Sequence, residues 1–186
     1  MPLPMGHTAI GLAVHEWSNN NSVSSRLKII IFITILANIP DFDVIVGLLV
    51  KWNGNAFHRG PTHSLIFALI MGLFASRAWK LSSQIPRVKF GICFLVILSH
   101  TLADILFTSS PVSLFWPFEV NWSTGYSGWG DVFNSVFFQG FQDVGIIIGS
   151  IFSIILIRLT RKYKEKELTL HKDSFQVFKN FRKISH

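Results

Sequence analysis

Five apolar stretches with few charged residues dominate this sequence and decide what the chain can fold into. They cover residues 3–17, 29–50, 64–79, 90–107 and 144–159. Over the whole chain, charged residues make up 15%, against about 25% in a typical soluble domain. Apolar runs of this kind are typical of membrane-embedded helices. The sequence therefore predicts an all-α, polytopic membrane helix bundle with four to five embedded helices.

Several of these stretches are shorter than the roughly 20 residues of a perpendicular spanning helix. Pro40 also interrupts the second stretch. Short or broken helices are tolerated in a membrane where they line a cavity enclosed by protein. We therefore expect some helices to be short or broken, with polar groups gathered beside them.

The basic residues indicate the orientation of the bundle. Of the 17 basic residues, all but Lys51 and Arg59 lie in three regions: between the first two stretches, around the link between the third and fourth, and from the end of the fifth onward. With five crossings these regions share one face, which the positive-inside rule makes cytoplasmic. A four-crossing arrangement, with the first stretch in the interface, orients the others identically. The basic residues that give the net charge of +7 are then explained by the membrane, and no nucleic-acid partner is expected.

The pattern divides the chain into a membrane-embedded domain, residues 1–159, and a basic cytoplasmic tail, residues 160–186. Phe175, Phe178, Phe181 and Ile184 recur in the tail at a spacing of three. This spacing favours an amphipathic helix on an anionic lipid leaflet. A frayed, solvated tail is the alternative.

Ionisable residues lie in or beside the apolar stretches, where they are costly and mark functional sites. They are His7, Asp41, Asp43, His58, His63, His100 and Asp104. The predicted topology places all seven toward the non-cytoplasmic face, although only Lys and Arg were used to assign the faces. Imidazole and carboxylate ligands suit Zn²⁺, with Mn²⁺ or Fe²⁺ as alternatives. We therefore predict that these residues bind one or two divalent metal ions.

Simpler interpretations exist for each of these residues alone. A single His at a helix end is usually an interfacial histidine, and an Asp after Pro40 is often a turn or cap residue. His100 and Asp104 lie four residues apart on one helix face and could simply bond to each other. The convergence of seven such residues at one depth favours the metal site.

Four short motifs occur in a fixed order along the chain. They are Gly6-His7, Pro40-Asp41-x-Asp43, His58-Arg59-Gly60-x-Thr62-His63-Ser64 and Ser99-His100-x-x-x-Asp104. Together they resemble the membrane-bound metal-dependent hydrolase family, which includes LexA-regulated inner-membrane hydrolases of bacteria. A more distant resemblance is to zinc-dependent phospholipase C enzymes. One departure is Val44, because members of the family often carry a His shortly after the second Asp.

The resemblance implies a multi-pass protein of the bacterial inner membrane with a metal-dependent hydrolase site. The leading hypothesis is hydrolysis of a phosphoester or related bond in a membrane lipid or lipid-linked substrate by metal-activated water. Arg59 would contact the phosphate, and Asp41 or Asp43 would act as general base if not bound to metal. One alternative is a membrane protein that binds or transports metal ions without hydrolase activity. Another is a structural protein whose metal only ties helices together.

Overall fold

The computed structural model describes residues 4–18, 25–107, 110–118 and 142–184, without the side chains of 142, 143 and 170–184. Within these ranges the chain is mostly helical and forms no β-strand. The α-helices are α1 (Pro4–Ser18), α2 (Arg26–Asn38), α3 (Phe42–Lys51), α4 (Leu65–Arg77), α5 (Phe90–Phe107) and α6 (Gln142–Ile184). Single 3₁₀ turns occur at Gly54–Ala56, Pro61–His63 and Ala78–Lys80.

Helix α5 is the centre of the bundle, because it packs against α1, α2 and α4. Helix α1 also contacts α2 and α6. The core between α2 and α5 is fully buried and aliphatic, and it includes Ile33, Leu36, Val96 and Ile97. The polar site described below continues from one end of this apolar core.

Two glycines allow the helices to approach closely, as small residues do in membrane bundles. A Cβ atom on Gly11 of α1 would lie 2.9 Å from the Cβ of Ala37 in α2. A Cβ atom on Gly72 of α4 would lie 3.0 Å from the backbone N and Cα of Phe94 in α5. These contacts fix the separations of helices that carry site residues.

Two of the described helices are long and apolar enough to cross a membrane, namely α5 and the Val144–Thr169 part of α6. A third span results if α2 and α3, bent by 50° at Pro40, are counted together. The prediction of four to five embedded helices is therefore not met within the described residues. The reason is length, because α1 has 15 residues and α4 has 13. The expected short and broken helices are present.

The outer surface of the bundle is apolar, as expected for contact with lipid. Leu49 and Trp52 at the end of α3 are 76% and 91% exposed, and Phe74 of α4 is 65% exposed. In the apolar part of α6 only 6% of the residues are buried. Because exposed apolar patches of this extent are rare on soluble monomers, the surface supports a membrane location.

An ion-pair cluster ties α6 to the carboxyl end of α1. The Glu16 carboxylate accepts hydrogen bonds from Nε and Nη2 of Arg158, at 3.0 and 2.9 Å. Arg161 donates to the main-chain carbonyls of Glu16 and Trp17, the latter at 3.2 Å. Arg161 thereby satisfies carbonyl groups that have no partner at the end of a helix.

Helix α6 runs without interruption from residue 142 to 184, so the predicted domain boundary after residue 159 lies inside a helix. The proposed apolar face at 175, 178, 181 and 184 falls among side chains outside the described set. The division into two domains and the lipid-binding tail therefore stay predictions.

Candidate metal centre

The break between α2 and α3 shapes one side of the site. Pro40 has no N–H group and cannot continue the helical hydrogen bonds. The next N–H group, that of Asp41, donates to the Asn38 carbonyl at 3.2 Å instead of continuing the helical pattern to Ala37. The Ala37 carbonyl is therefore available to a side chain from another helix.

That side chain is His100 of α5, whose Nδ1 lies 2.7 Å from the Ala37 carbonyl oxygen. A carbonyl only accepts, so Nδ1 carries the proton and Nε2 keeps its lone pair. Metal-binding histidines are commonly oriented in this way, by a hydrogen bond from the second ring nitrogen to a carbonyl or carboxylate. The helix break thus turns Nε2 of His100 toward the site.

Asp41 contributes its carboxylate from the same break. It occupies the N-cap position of α3, yet its side chain makes no capping hydrogen bond. Its Oδ1 instead lies 3.3 Å from Nε2 of His100 and 3.6 Å from Nε2 of His63. The simple interpretation of Asp41 as a cap is therefore not supported.

His63 lies at the end of the 3₁₀ turn that precedes α4, with its side chain fully buried. Its Nε2 is 3.2 Å from Nε2 of His100 and 3.4 Å from Oδ2 of Asp104. Asp104 stands one helical turn after His100 and is also fully buried. One ligand atom from each of Asp41, His63, His100 and Asp104 lies within 4.8 Å of all the others.

These separations suit a small divalent cation. In a tetrahedral zinc site with bonds of about 2.0–2.1 Å, neighbouring ligand atoms lie about 3.3–3.4 Å apart. The contacts given above fall between 3.2 and 3.6 Å. Two nitrogen lone pairs facing each other at 3.2 Å repel unless a proton or a cation lies between them. The donor set therefore fits a cation in both spacing and charge.

Further buried polar atoms have no hydrogen-bond partner among the described residues. They include both ring nitrogens of His7, Oδ1 of Asp41 and Nε2 of His58. The His7 ring, from the first turns of α1, stacks on His100 with ring centroids 3.6 Å apart. Its Nε2 is 3.5 Å from Oδ1 of Asp104. Since buried polar groups normally have partners, these atoms indicate that the site is built for a bound species.

The electrostatics of His63 lead to the same conclusion. Burial lowers the pKa of His63, but the carboxylates of Asp104, Asp41 and Asp43, which lie 3.3–3.6 Å from its ring nitrogens, raise the pKa to about 10. In the protein without metal, a proton on the ring thus supplies the positive charge that the carboxylates require.

Asp43 and His58 form a second group beside the first and share His63 with it. Nδ1 of His58 is 3.1 Å from Oδ1 of Asp43. Nδ1 of His63 is 3.3 Å from Oδ2 of Asp43. The two ring nitrogens of His63 therefore face two different carboxylate groups.

Arg59 is buried and donates from Nε to Oδ2 of Asp104 at 3.3 Å. Its backbone has a positive φ of 65°, which is uncommon for a residue with a side chain. Two main-chain bonds hold it there: its N–H donates to Asp43 at 3.2 Å, and its carbonyl accepts from the N–H of Ser113 at 3.0 Å. A strained backbone of this kind is kept where several contacts hold the residue in place, often at functional sites.

The structure thus brings all eight candidate residues into one continuous network. Sequence reasoning did not single out two of its groups, the Ala37 carbonyl and the Thr62 hydroxyl. The first could have been found from its position three residues before Pro40. The second lies inside the motif between His58 and Ser64, where only the ionisable residues were considered.

A family model described as YdjM inner membrane protein matches residues 1–167, which is most of the chain. The chain belongs to the YdjM inner membrane protein family. All described site residues lie within the matched range. The family is one of membrane proteins, which supports the inner-membrane location expected from the sequence. Its description does not include a hydrolase activity, so the hydrolase part of the resemblance stays a prediction.

A curated relative is also named as an inner membrane protein. Inner membrane protein YbcI of Escherichia coli (strain K12) is 33% identical over 124 residues, which cover 64% of this chain and 69% of that protein. No solved structure matches the chain.

Proposed function

We propose that this YdjM-family protein is a metal-dependent hydrolase that cleaves a phosphoester or related bond in a membrane lipid or lipid-linked substrate. The observation that carries the proposal is the buried group of Asp41, His63, His100 and Asp104 at ligand-like separations. Zn²⁺ is the metal that best suits two imidazoles and two carboxylates at these distances, with Mn²⁺ or Fe²⁺ as alternatives.

A divalent cation in such a site lowers the pKa of a coordinated water molecule and polarises a phosphoryl oxygen. The protein's own residues hold and orient the reactants. Asp41 is the least buried of the four candidate ligands, with its side chain 17% exposed, so a substrate would approach from its side. Arg59 provides a guanidinium group beside Asp104, and guanidinium groups bind phosphate through parallel hydrogen bonds.

The apolar surroundings favour a lipid or lipid-linked substrate over a soluble one. The short helices place a buried polar cluster beside helices whose outer surfaces are apolar. A substrate with an acyl or isoprenyl chain could remain in the bilayer while its phosphate reaches the site. Anionic lipid is a further proposed partner, at the basic tail.

The proposed orientation places the site toward the non-cytoplasmic face and the carboxyl end of α6 in the cytoplasm. It predicts that a cysteine at Asn55 is labelled by an impermeant thiol reagent from outside, whereas one at Ser83 is labelled only after the membrane is opened. Both positions are exposed, and the background is Cys93→Ser, since Cys93 is buried and is the only cysteine in the chain. The opposite labelling pattern would refute the orientation.

Turnover tests the chemistry directly. The purified protein with Zn²⁺ is incubated with phosphatidic acid as a phosphomonoester and phosphatidylglycerol as a phosphodiester, and product release is measured. We expect metal-dependent cleavage that is abolished in His100→Ala and reduced in Arg59→Lys, because lysine keeps the charge but loses the planar fork. Arg77→Lys, at the far end of α4, is the matched control and should retain full turnover.

Cleavage of neither probe under any metal condition would remove the main support for a hydrolase. Uptake of Zn²⁺ into proteoliposomes would then identify the transport alternative. A wild-type rate retained by His100→Ala would show that the metal group takes no part in the reaction.

A further inference from the structure

Asp43 is surrounded by hydrogen-bond donors from the loop between α3 and α4. Its Oδ2 accepts from the Thr62 hydroxyl at 2.6 Å and from the N–H of Arg59 at 3.2 Å. Its Oδ1 faces Nδ1 of His58 at 3.1 Å. A carboxylate has about four lone-pair positions, so these donors leave little capacity for a metal ion.

The Thr62 hydroxyl determines how the neighbouring histidine is protonated. A hydroxyl has one hydrogen, and the bond of 2.6 Å to Asp43 uses it, because a carboxylate cannot donate. The Thr62 oxygen, 3.1 Å from Nδ1 of His63, must therefore accept from that ring. Nδ1 therefore carries a proton in either charge state of the ring. When a cation replaces the second proton of the metal-free ring, the lone pair of Nε2 faces Asp41, His100 and Asp104.

A second ion in the group of Asp43, His58 and His63 would need the Nδ1 atom of His63 as a ligand. His63 would then lose its last ring proton and bridge two ions. It would also give up its hydrogen bond to Thr62. The hydrogen bonds present favour the other arrangement, in which a carboxylate orients a metal-binding histidine through its second nitrogen.

We propose that Asp43 and Thr62 are positioning residues that hold Nε2 of His63 toward the cation, and that the protein binds one divalent ion rather than two. The inference rests on the proposed metal site and adds the number of ions and the residues that orient the ligand. His58 has the same role, because its contact with Asp43 helps to hold that carboxylate in place.

The first measurement is the metal content of the full-length wild-type protein in detergent after equilibration with Zn²⁺ and removal of free metal. One ion per chain supports the inference. Two ions per chain would overturn it and leave the metal site of the proposed function intact. No bound ion would overturn both, so the two failures are distinguishable.

The second measurement uses Co²⁺, whose visible absorption depends on its ligand geometry. Asp43→Asn and Thr62→Val should bind Co²⁺ about 10- to 100-fold more weakly, still with one ion per chain and with an altered spectrum. Thr62→Ser, which restores the hydroxyl, should recover both the affinity and the spectrum. The matched controls are Glu165→Gln and Thr160→Val, which make the same kinds of chemical change at exposed positions of α6, away from the metal site.

Unchanged affinity and spectrum in both Asp43→Asn and Thr62→Val would show that the network does not position the ligand. Loss of one of two ions in Asp43→Asn would show that Asp43 is itself a ligand. If Asp43→Asn does not fold, the comparison of Thr62→Val with Thr62→Ser tests the inference, because these two variants differ chiefly in the hydroxyl group.

Discussion

Asp104→Asn is expected to abolish the thermal stabilisation that Zn²⁺ gives to the wild-type protein. A ligand that binds only the folded state stabilises it by about 4 kcal/mol at 1,000 times its dissociation constant. Asparagine has the shape of aspartate but no charge, so the cation would lose a charged ligand at the centre of the group. The affinity for Zn²⁺ should fall by more than the loss of about 10- to 100-fold that is expected for a residue that only orients a ligand.

The measurement is a melting curve with and without Zn²⁺, together with the metal content of the protein. Without metal, Asp104→Asn should itself lower the melting temperature, because it removes the carboxylate that faces the buried Arg59 and the protonated His63. The Zn²⁺ effect is therefore the difference between each variant with metal and the same variant without it. Leu102→Ala, on the exposed side of the same helix, is the control and should keep the Zn²⁺ effect. A full Zn²⁺ shift in Asp104→Asn would exclude this residue as a ligand.

Gly72→Leu is expected to separate α4 from α5 and to lower the melting temperature of the metal-free protein. Even a single Cβ atom would lie 3.0 Å from backbone atoms of Phe94, which cannot turn aside as a side chain can. Overpacking of this kind typically costs about 1–3 kcal/mol. In a protein of this size each kcal/mol corresponds to about 2–4 °C.

The same substitution at Gly149 is the matched control, because a Cβ atom there meets no atom within 4 Å in an apolar helix. Gly149→Leu should therefore melt like the wild type. Since α4 follows His63 and α5 carries His100 and Asp104, Gly72→Leu should also weaken metal binding. Equal melting temperatures for the two variants would contradict the proposed close packing of α4 on α5.

The helical membrane class of the protein could be predicted from its apolar stretches. Lipid offers no hydrogen-bond partners, so the backbone of an apolar segment in the membrane must pair with itself, as it does in a helix. The mostly helical character and the inner-membrane family are confirmed. Within the described residues only two to three helices are long and apolar enough to span, rather than the four to five expected, since hydropathy does not show where a helix ends. The stretch 64–79 reads as one segment, yet the α-helix within it ends at Arg77 after 13 residues.

The site residues could be proposed because ionisable groups stand out against an apolar background. The relative positions of these residues could not be predicted, because they depend on hydrogen bonds to main-chain groups, which every residue type has. The carbonyl of Ala37 orients His100, and the N–H of Arg59 binds Asp43. The alanine side chain itself gives no indication of such a role, and only Pro40, three residues later, points to the free carbonyl.

The contact between Glu16 and Arg158 joins residues 142 positions apart, and this separation bears on how the protein is made. Membrane helices leave the ribosome in order, so the carboxylate on α1 is in place long before its arginine partners are synthesised. The pair can form only after α6 has been synthesised. Final seating of α6 is thus a late step of biogenesis, in which the last described helix closes the bundle by docking onto the first.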